Sequence, residues 1–350
     1  MGRRLESRAG QIGLAVGLLG WALLGGGAGC IPSPQQPGCL DNASLQIATP
    51  SLLDYSYPVV DHTIDARGVD WVGQYTYGVD LGGPGTGCFV GGRIEGTWSQ
   101  ADSWDLYHAR KALPNGLEGR PLIVEQLHVA NYGDGVAIEL AAPCPNGSPS
   151  WLVLRDSHLE DMHDDAVESD GLCSAEVEDS LLDRVYVALA FRNRLSDPNR
   201  NGSGNTVVVR DNLIRMHSFA NNYLGYTEHN GIWKWARQGK GPKLSVRNNR
   251  FLAFDAPPGG TLLPFVNKVV SCTNNVLLFA GSEADWQAAL LTGCDIQGDD
   301  GLCDGERLLA LASCYTAVTK PDTQSEADFL AAHWDPYVAS WKASHAADDE

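Results

Sequence analysis

Five short β-like triplets each end in a residue that could do chemistry. They are Leu106-Tyr107-His108, Ala137-Ile138-Glu139, Ala166-Val167-Glu168, Ala190-Phe191-Arg192 and Ile232-Trp233-Lys234. The large apolar middle residue points inward, and strand alternation then sends its neighbours outward. The third positions would form one exposed column of an imidazole, two carboxylates and two cations, on rungs about 4.8 Å apart. The first positions, mostly Ala, leave a shallow groove beside it. Such a set can abstract a proton beside a carboxylate, which needs a base of lowered pKa and a cation to hold the developing charge. A structural reading competes, because stacked opposite charges on adjacent strands stabilise by roughly 0.2–1 kcal/mol per pair. The run His163-Asp164-Asp165 adds two neighbouring carboxylates, which can act as acid and base on a glycosidic bond or can bond local backbone amides.

The elements that must position these side chains are repeats. Leu152 to Arg194 reads as two units laid head to tail, each with an alternating strand, then Asp-Ser (156–157 and 179–180), then a second strand. Comparable units start at Ile64, Val90, Val124, Leu154, Val177, Val209, Val246 and Cys272, and from Leu154 onward each start is followed by Asp/Asn and then Ser/Asn. Imperfect repeats without a helical period indicate a solenoid of stacked parallel rungs. We read residues 62–282 as all-β, a single-stranded right-handed parallel β-helix. The Asp/Asn-Ser/Asn pairs suit a tight, left-handed bend and should stack into a self-satisfying hydrogen-bonded ladder rather than hold metal.

His163-Asp164-Asp165-Ala166-Val167-Glu168, the VRDNLI and VRNNRF rungs (209–214, 246–251) and TNNVLLFAG (273–281) resemble bacterial right-handed β-helix proteins of the pectate-lyase-like superfamily, over roughly residues 60–282. That superfamily includes lyases, hydrolases, epimerases and non-catalytic proteins, so the resemblance speaks first to fold. Its polysaccharide lyases set an Arg/Lys pair beside carboxylate-bound Ca²⁺. On that pattern Glu139 and Glu168, with Asp164 and Asp165 nearby, are the expected Ca²⁺ ligands. Lys234 and Arg192, with His108 in the same column, are the expected base and charge-stabilising residues. Lys234 would then lose its proton near neutral pH, helped by Arg192 and by burial under the 216–230 loop. The function implied is β-elimination on an acidic, uronic-acid polysaccharide by a secreted or surface-tethered protein. A non-catalytic β-helix lipoprotein that binds glycan or serves structure is the alternative. Glycoside hydrolysis stands third, because the Gly-His-Gly and Arg-Ile-Lys triplets of β-helix hydrolases such as polygalacturonases are missing.

Insertions at Ser196–Asn205 and Met216–Asn230 interrupt the rungs, and the second, just before Lys234, is the expected lid. Tyr75, Tyr77, Trp98 and Trp104 lie where sugar stacking is feasible, whereas Trp233 belongs to the core. Past Gly281, Ser282 with Asp285 and Ser325 with Asp328 cap two helix-like stretches. Residues 283–350 are therefore expected to form a short helical, disulfide-tied C-terminal cap over the last rung. At the other end, Arg3, Arg4 and Arg8 precede an uncharged run from Ile12 to Gly29 that closes on Cys30. Residues 1–29 read as a signal peptide, Cys30 as a lipidation site, and residues 30–61 as a Pro-rich tether and N-terminal cap. Of nine cysteines, eight remain once Cys30 is acylated, an even number suited to disulfides in an oxidising compartment.

The formal net charge is −18, and removing the first 29 residues, with three Arg and one Glu, leaves −20. So acidic a chain is a poor partner for nucleic acid. Membrane contact is expected only through the lipid, and the protein should be an exported monomer of the bacterial envelope. Intact-mass spectrometry of the exported chain should show a diacylglycerol adduct on Cys30. A Cys30→Ala variant that still fractionates with membranes would contradict the anchor.

Overall fold

A strand of four residues cannot bury an apolar face alone, and this chain solves the problem by repetition. The computed structural model describes residue 39 and residues 45–47, 56–58, 62–83, 87–117, 122–138, 144–193, 200–236, 239–257, 261–264, 266–295 and 314–346. Its strands form two parallel sheets that the chain visits in turn. The first holds Leu45–Ile47, His62–Asp65, Gly87–Val90, Leu122–Glu125, Leu152–Arg155, Ala175–Glu178, Thr206–Arg210, Lys243–Arg247 and Val269–Thr273, side by side in chain order. The second runs through Lys111–Leu117, Asp134–Ile138, His158–Ser169, Leu181–Phe191, Leu213–Met216, Arg250–Ala253 and Asn275–Phe279 to Tyr315–Thr319. Trp233–Trp235 pairs onto Leu181–Phe191, and His128–Tyr132 onto the first half of His158–Ser169.

The rung starts stack directly, in the register Ile64, Phe89, Val124, Leu154, Val177, Val209, Val246, Cys272. The one correction is Phe89 in place of Val90. Val90 occupies the position where later rungs carry a charge, and the sign of this is Gly91, left-handed at φ 71° two residues after Phe89. The same left-handed step follows each later start at Gln126, Asp156, Asp179, Asp211, Asn248 and Asn274, with φ between 42° and 62°. Short polar side chains and glycine tolerate this conformation best.

The next residues, Leu127, Ser157, Ser180, Asn212, Asn249 and Asn275, are buried and bonded from coil to coil. The backbone N–H of each of the first five donates to the side-chain oxygen of the following one, at 3.2 Å for Leu127 and Ser157 and 3.0 Å for Ser180, Asn212 and Asn249. Asn212, Asn249 and Asn275 also donate through Nδ2 to the carbonyls of Val177, Val209 and Val246 at 2.9, 2.9 and 3.0 Å. The expected polar ladder is therefore present and satisfies itself. An alternating charge ladder exists too, but on the first sheet, where Glu125, Arg155, Glu178 and Arg210 stand in register and ion-pair.

One apolar cluster of buried residues extends from Ile64 to Tyr315, with Trp71, Trp233 and Phe251 fully buried. Disulfides join Cys39 to Cys88, Cys144 to Cys173 and Cys272 to Cys314, with Cα–Cα distances of 5.6, 5.0 and 5.3 Å. Such bonds fit an oxidising, extracellular compartment. Cys30, Cys303 and the Cys294 side chain lie outside the described residues. No described helix is long and apolar enough to cross a membrane.

Four short helices complete the described chain: α1 (Trp104–His108), α2 (Glu283–Asp295), α3 (Glu326–His333) and α4 (Asp335–His345). Ser282 and Ser325 cap α2 and α3 as expected, accepting from Asp285 N and Asp328 N. The expected cap over the last rung is corrected for α3 and α4. Tyr315–Thr319 extends the second sheet, and the two helices turn back along its outer side. An outward apolar stripe, Leu181, Leu213, Leu252 and Leu278, demands cover, and Phe329 and Trp334 supply it. Arg250 locks the arrangement by donating to His333 O and lying 3.5 Å over the Tyr337 ring.

Because Asn249 Oδ1 accepts from both the backbone and the side chain of Asn212, Asn249→Ala orphans buried donors. Urea unfolding should show a loss of about 1–3 kcal/mol per orphaned group. An unchanged midpoint would mean that the ladder does not hold the coils together.

Candidate functional site

The strand His158–Ser169 carries one residue more than its neighbour. Met162 pairs with Val185 and Asp165 with Val187, so His163 and Asp164 together oppose Tyr186. A bulge of this kind breaks the strict in-out alternation. Adjacent carboxylates can then converge on one cation: Lys234 Nζ donates to Asp165 Oδ1 and Oδ2 at 3.0 and 2.8 Å and lies 3.7 Å from Asp164 Oδ1. On the other side Lys111 Nζ donates to Asp134 Oδ2 at 2.7 Å and to Glu168 Oε2 at 2.6 Å. Asp165 N donates to Asp134 Oδ1 at 3.2 Å, which closes the set. Four carboxylates thus share two lysines.

Burial decides how this cluster holds protons. It pushes Asp134 well above the usual carboxylate range, with Glu168 adding to the effect and Lys111 opposing it. It pushes Asp165 up to about 7, countered by Lys234 and reinforced by Asp164 and Glu168. Burial works against the Asp164 charge as well, but Lys234 and His108 outweigh it and hold that carboxyl below its ordinary value. For Lys234, burial is outweighed by Asp165 and Asp164, and the ammonium is held far above its ordinary value. Lys234 is thus held as an ammonium by Asp165 in this arrangement, which weighs against the expected role as base.

His108 stands on α1, not on a strand. Ser103 caps this helix by accepting from Leu106 N. The helix presses so close to the sheet that a Cβ on Gly133 would stand 1.9 Å from the Tyr107 carbonyl oxygen, so only glycine fits there. His108 Nδ1 lies 2.5 Å from Asp164 Oδ2, and the Trp104 ring stacks on the imidazole at 4.3 Å. Asp164 is buried, yet the His108 side chain is 57% exposed, so Nε2 remains for a ligand. The bond to Asp164 raises the His108 pKa, with burial opposing it. His163 differs: it is sandwiched between Tyr107 and Phe219 at 3.6 and 3.8 Å and kept neutral by burial, which takes its pKa down to about 3. We assign it to packing.

These groups open onto a cavity of about 560 Å³. The 216–230 loop forms one wall with Tyr223, Tyr226 and Asn230, as the expected lid position implies. It is tied to the α1 segment, since Trp104 N donates to Asn221 O and Asn221 Nδ2 to Ala101 O. His229, fully buried and neutral, anchors its end by accepting from Phe254 N and Asp255 N at 3.1 and 3.2 Å. Tyr186 also lines the cavity, with a buried hydroxyl that has no partner among the described residues.

His108, Asp164, Asp165, Glu168, Arg192 and Lys234 all line this one cavity. Glu139 lies outside the described residues. The single-column alignment, however, is corrected. The register aligns Pro114, Ala137, Glu168, Ala190 and Lys234, which leaves Arg192 two residues beyond the column. Asp134–Ile138 is buried at every position, so alternation could not fix its register from sequence. Lys111, Asp134 and Tyr186 were missed. The available signal was Gly133-Asp134-Gly135, an acidic residue between two glycines that admit close neighbours. Of the aromatic candidates for sugar stacking, Trp104 lines the cavity, while Trp98 is buried against Tyr107 and Tyr132.

Asp134, Asp165 and Glu168 each offer an oxygen, all within 4.8 Å of one another, as a cation site would require. Each already accepts from a lysine ammonium, and a divalent ion would have to displace Lys111. As arranged, lysine ammoniums occupy Asp165 and Glu168, two of the carboxylates expected to bind Ca²⁺, and no step below is routed through the ion. Comparison with known proteins finds no matching family model, no matching curated protein and no matching solved structure.

Lys111→Met would leave the buried Asp134 and the partly buried Glu168 without this cation, at a cost of about 3–5 kcal/mol near neutral pH. The Asp134 pKa is raised on folding, so the native state binds protons that the unfolded chain has lost, and acid favours the native state through this group. The penalty, measured by urea unfolding, should therefore shrink between about pH 7.5 and about pH 5. An equal loss at both values would mean that the pair carries no buried charge.

Proposed function

We propose that this chain is an exported, lipid-anchored enzyme of the pectate-lyase-like kind. In this reading its alternating sheets wind as a right-handed parallel β-helix, and its cavity cleaves uronic-acid polysaccharide by β-elimination. The observation that carries the proposal is the His108–Asp164 pair, an exposed imidazole oriented by a buried carboxylate beside the aromatic wall of Trp104, Tyr223 and Tyr226. Aromatic faces suit the apolar faces of sugar rings, and a carboxylate-held imidazole suits general base catalysis.

In the proposed reaction His108 Nε2 takes the proton from the carbon bearing the uronate carboxylate. The electron pair passes to the enolate, then forms the carbon–carbon double bond as the glycosidic C–O bond breaks. The departing oxygen takes its proton from water in the open cavity, since the Tyr186 hydroxyl in the cavity wall is buried. Arg192, exposed at the cavity, supplies charge for the substrate carboxylate, while Lys234 holds Asp164 ionised and so keeps His108 oriented. The supporting facts for export are the disulfides, and for the anchor the Arg-rich start and Gly-Ala-Gly-Cys30.

One observation favours hydrolysis as the second reading. Asp164 and Asp165 are pushed in opposite directions, as an acid and base pair would be. Both are engaged by Lys234 and nearly inaccessible, which ranks this reading lower.

The test is digestion of uronic-acid polymers by the mature chain, with and without chelator, followed by unsaturated-product absorbance. Absorbing product is expected and should be indifferent to chelator, while His108→Ala should slow turnover by about 10²–10⁴-fold. New reducing ends without absorbance would favour hydrolysis. Equal turnover by His108→Ala would remove His108 from the chemistry.

A further inference from the structure

A second cluster lies before the left-handed bend at Asp161, outside the residues that line the glycan cavity. His128 and His158 are partners in register on adjacent parallel strands, with Ala130 opposite Glu160. Strand periodicity sets His158 and Glu160 on the same face. The two imidazoles stack 4.8 Å apart and 4° from parallel. Glu160 reaches both, with Oε1 3.0 Å from His128 Nε2 and Oε2 3.8 Å from His158 Nε2. His158 Nε2 is buried and has no hydrogen-bond partner among the described residues. A cavity of about 330 Å³ lies against the three, bounded by Trp341, Lys342 and His345 of α4.

We propose that His128, His158 and Glu160 bind a divalent transition metal of the zinc class, at a site separate from the glycan cavity. One ligand atom from each residue lies within 4.8 Å of the others. A tetrahedral zinc ion with ligands at about 2.0–2.2 Å needs its donors about 3.3 Å apart. The ion would draw the three donors together by side-chain rotation. Two imidazoles and one carboxylate select such an ion over Ca²⁺ or Mg²⁺, which prefer an all-oxygen set. Three protein ligands beside a cavity leave the fourth position for water or a small ligand.

The contrast with the Asp134, Asp165 and Glu168 set is instructive, since there lysine ammoniums already sit on the carboxylates. Here the nearby guanidiniums are engaged elsewhere. Arg93 pairs with Glu95, and Arg184 is bidentate on Asp161, with only a 3.7 Å approach to Glu160. A metal would give the buried His158 nitrogen the partner it lacks.

Calorimetric titration of the mature chain with Zn²⁺ should show one equivalent bound, and Co²⁺ should give a tetrahedral d–d spectrum that Zn²⁺ abolishes. His128→Ala, His158→Ala and Glu160→Gln should each weaken binding by about 10- to 100-fold. In the unmodified chain, Co²⁺ should broaden the ring signals of His128 and His158, which serves if a variant misfolds. Absence of binding, or unbroadened signals from those rings, would overturn the proposal. So would affinity that survives His128→Ala but falls in His345→Ala, since the ion would then sit on the neighbouring Asp156, Asp179 and His345 group.

Discussion

Register between neighbouring parallel strands is the constraint on which the rest of this structure depends. A slip of one residue would turn every strand inside out. What prevents it is the buried line from Ser157 through Asn275, in which each rung's N–H is answered only by the side chain of the next rung in its proper place. A buried amide left unpaired costs more than a made one contributes, so the ladder acts chiefly by penalising wrong registers. The left-handed residue before each ladder position turns the chain from a strand of the first sheet into the next strand of the second.

The cavity inherits this order. Lys234 meets Asp165 across 69 residues of chain, and Lys111 meets Glu168 across 57, so each ion pair depends on several coils keeping register. Buried ion pairs are seldom a net gain in stability over apolar packing. What this set does is fix a local field: an ionised Asp164, a charged Lys234, and Asp134 and Asp165 carboxyls that burial makes harder to ionise than usual. The exposed group that feels this field is His108, brought there by α1 against Gly133.

The first sheet was readable from sequence almost residue by residue, because its strands alternate and, from Leu154 onward, the Asp/Asn-Ser/Asn pair marks each bend. Phe89 escaped only because glycines replace that pair after it. The second sheet was less readable. Strands such as Asp134–Ile138 and Leu181–Phe191 are buried nearly throughout, so the apolar pattern leaves their register undetermined, and a bulge at His163-Asp164 has no signature in composition. Hence six of the expected residues line one cavity although the alignment that grouped them is wrong, and Lys111 and Asp134 went unnoticed. The lateral course of α3 and α4 was hidden for a related reason, since Leu213 and Leu252 look like interior residues until the outer face of the sheet is known.

The reactive state of His108 can be observed directly by ¹⁵N NMR of its ring across a pH titration. If Asp164 holds Nδ1, the neutral ring should carry its proton there, Nε2 should be the unprotonated nitrogen, and the midpoint should lie above 6.5 and fall in Asp164→Asn. A neutral ring protonated on Nε2, or a midpoint at or below 6.5 that Asp164→Asn leaves unmoved, would contradict the site as described.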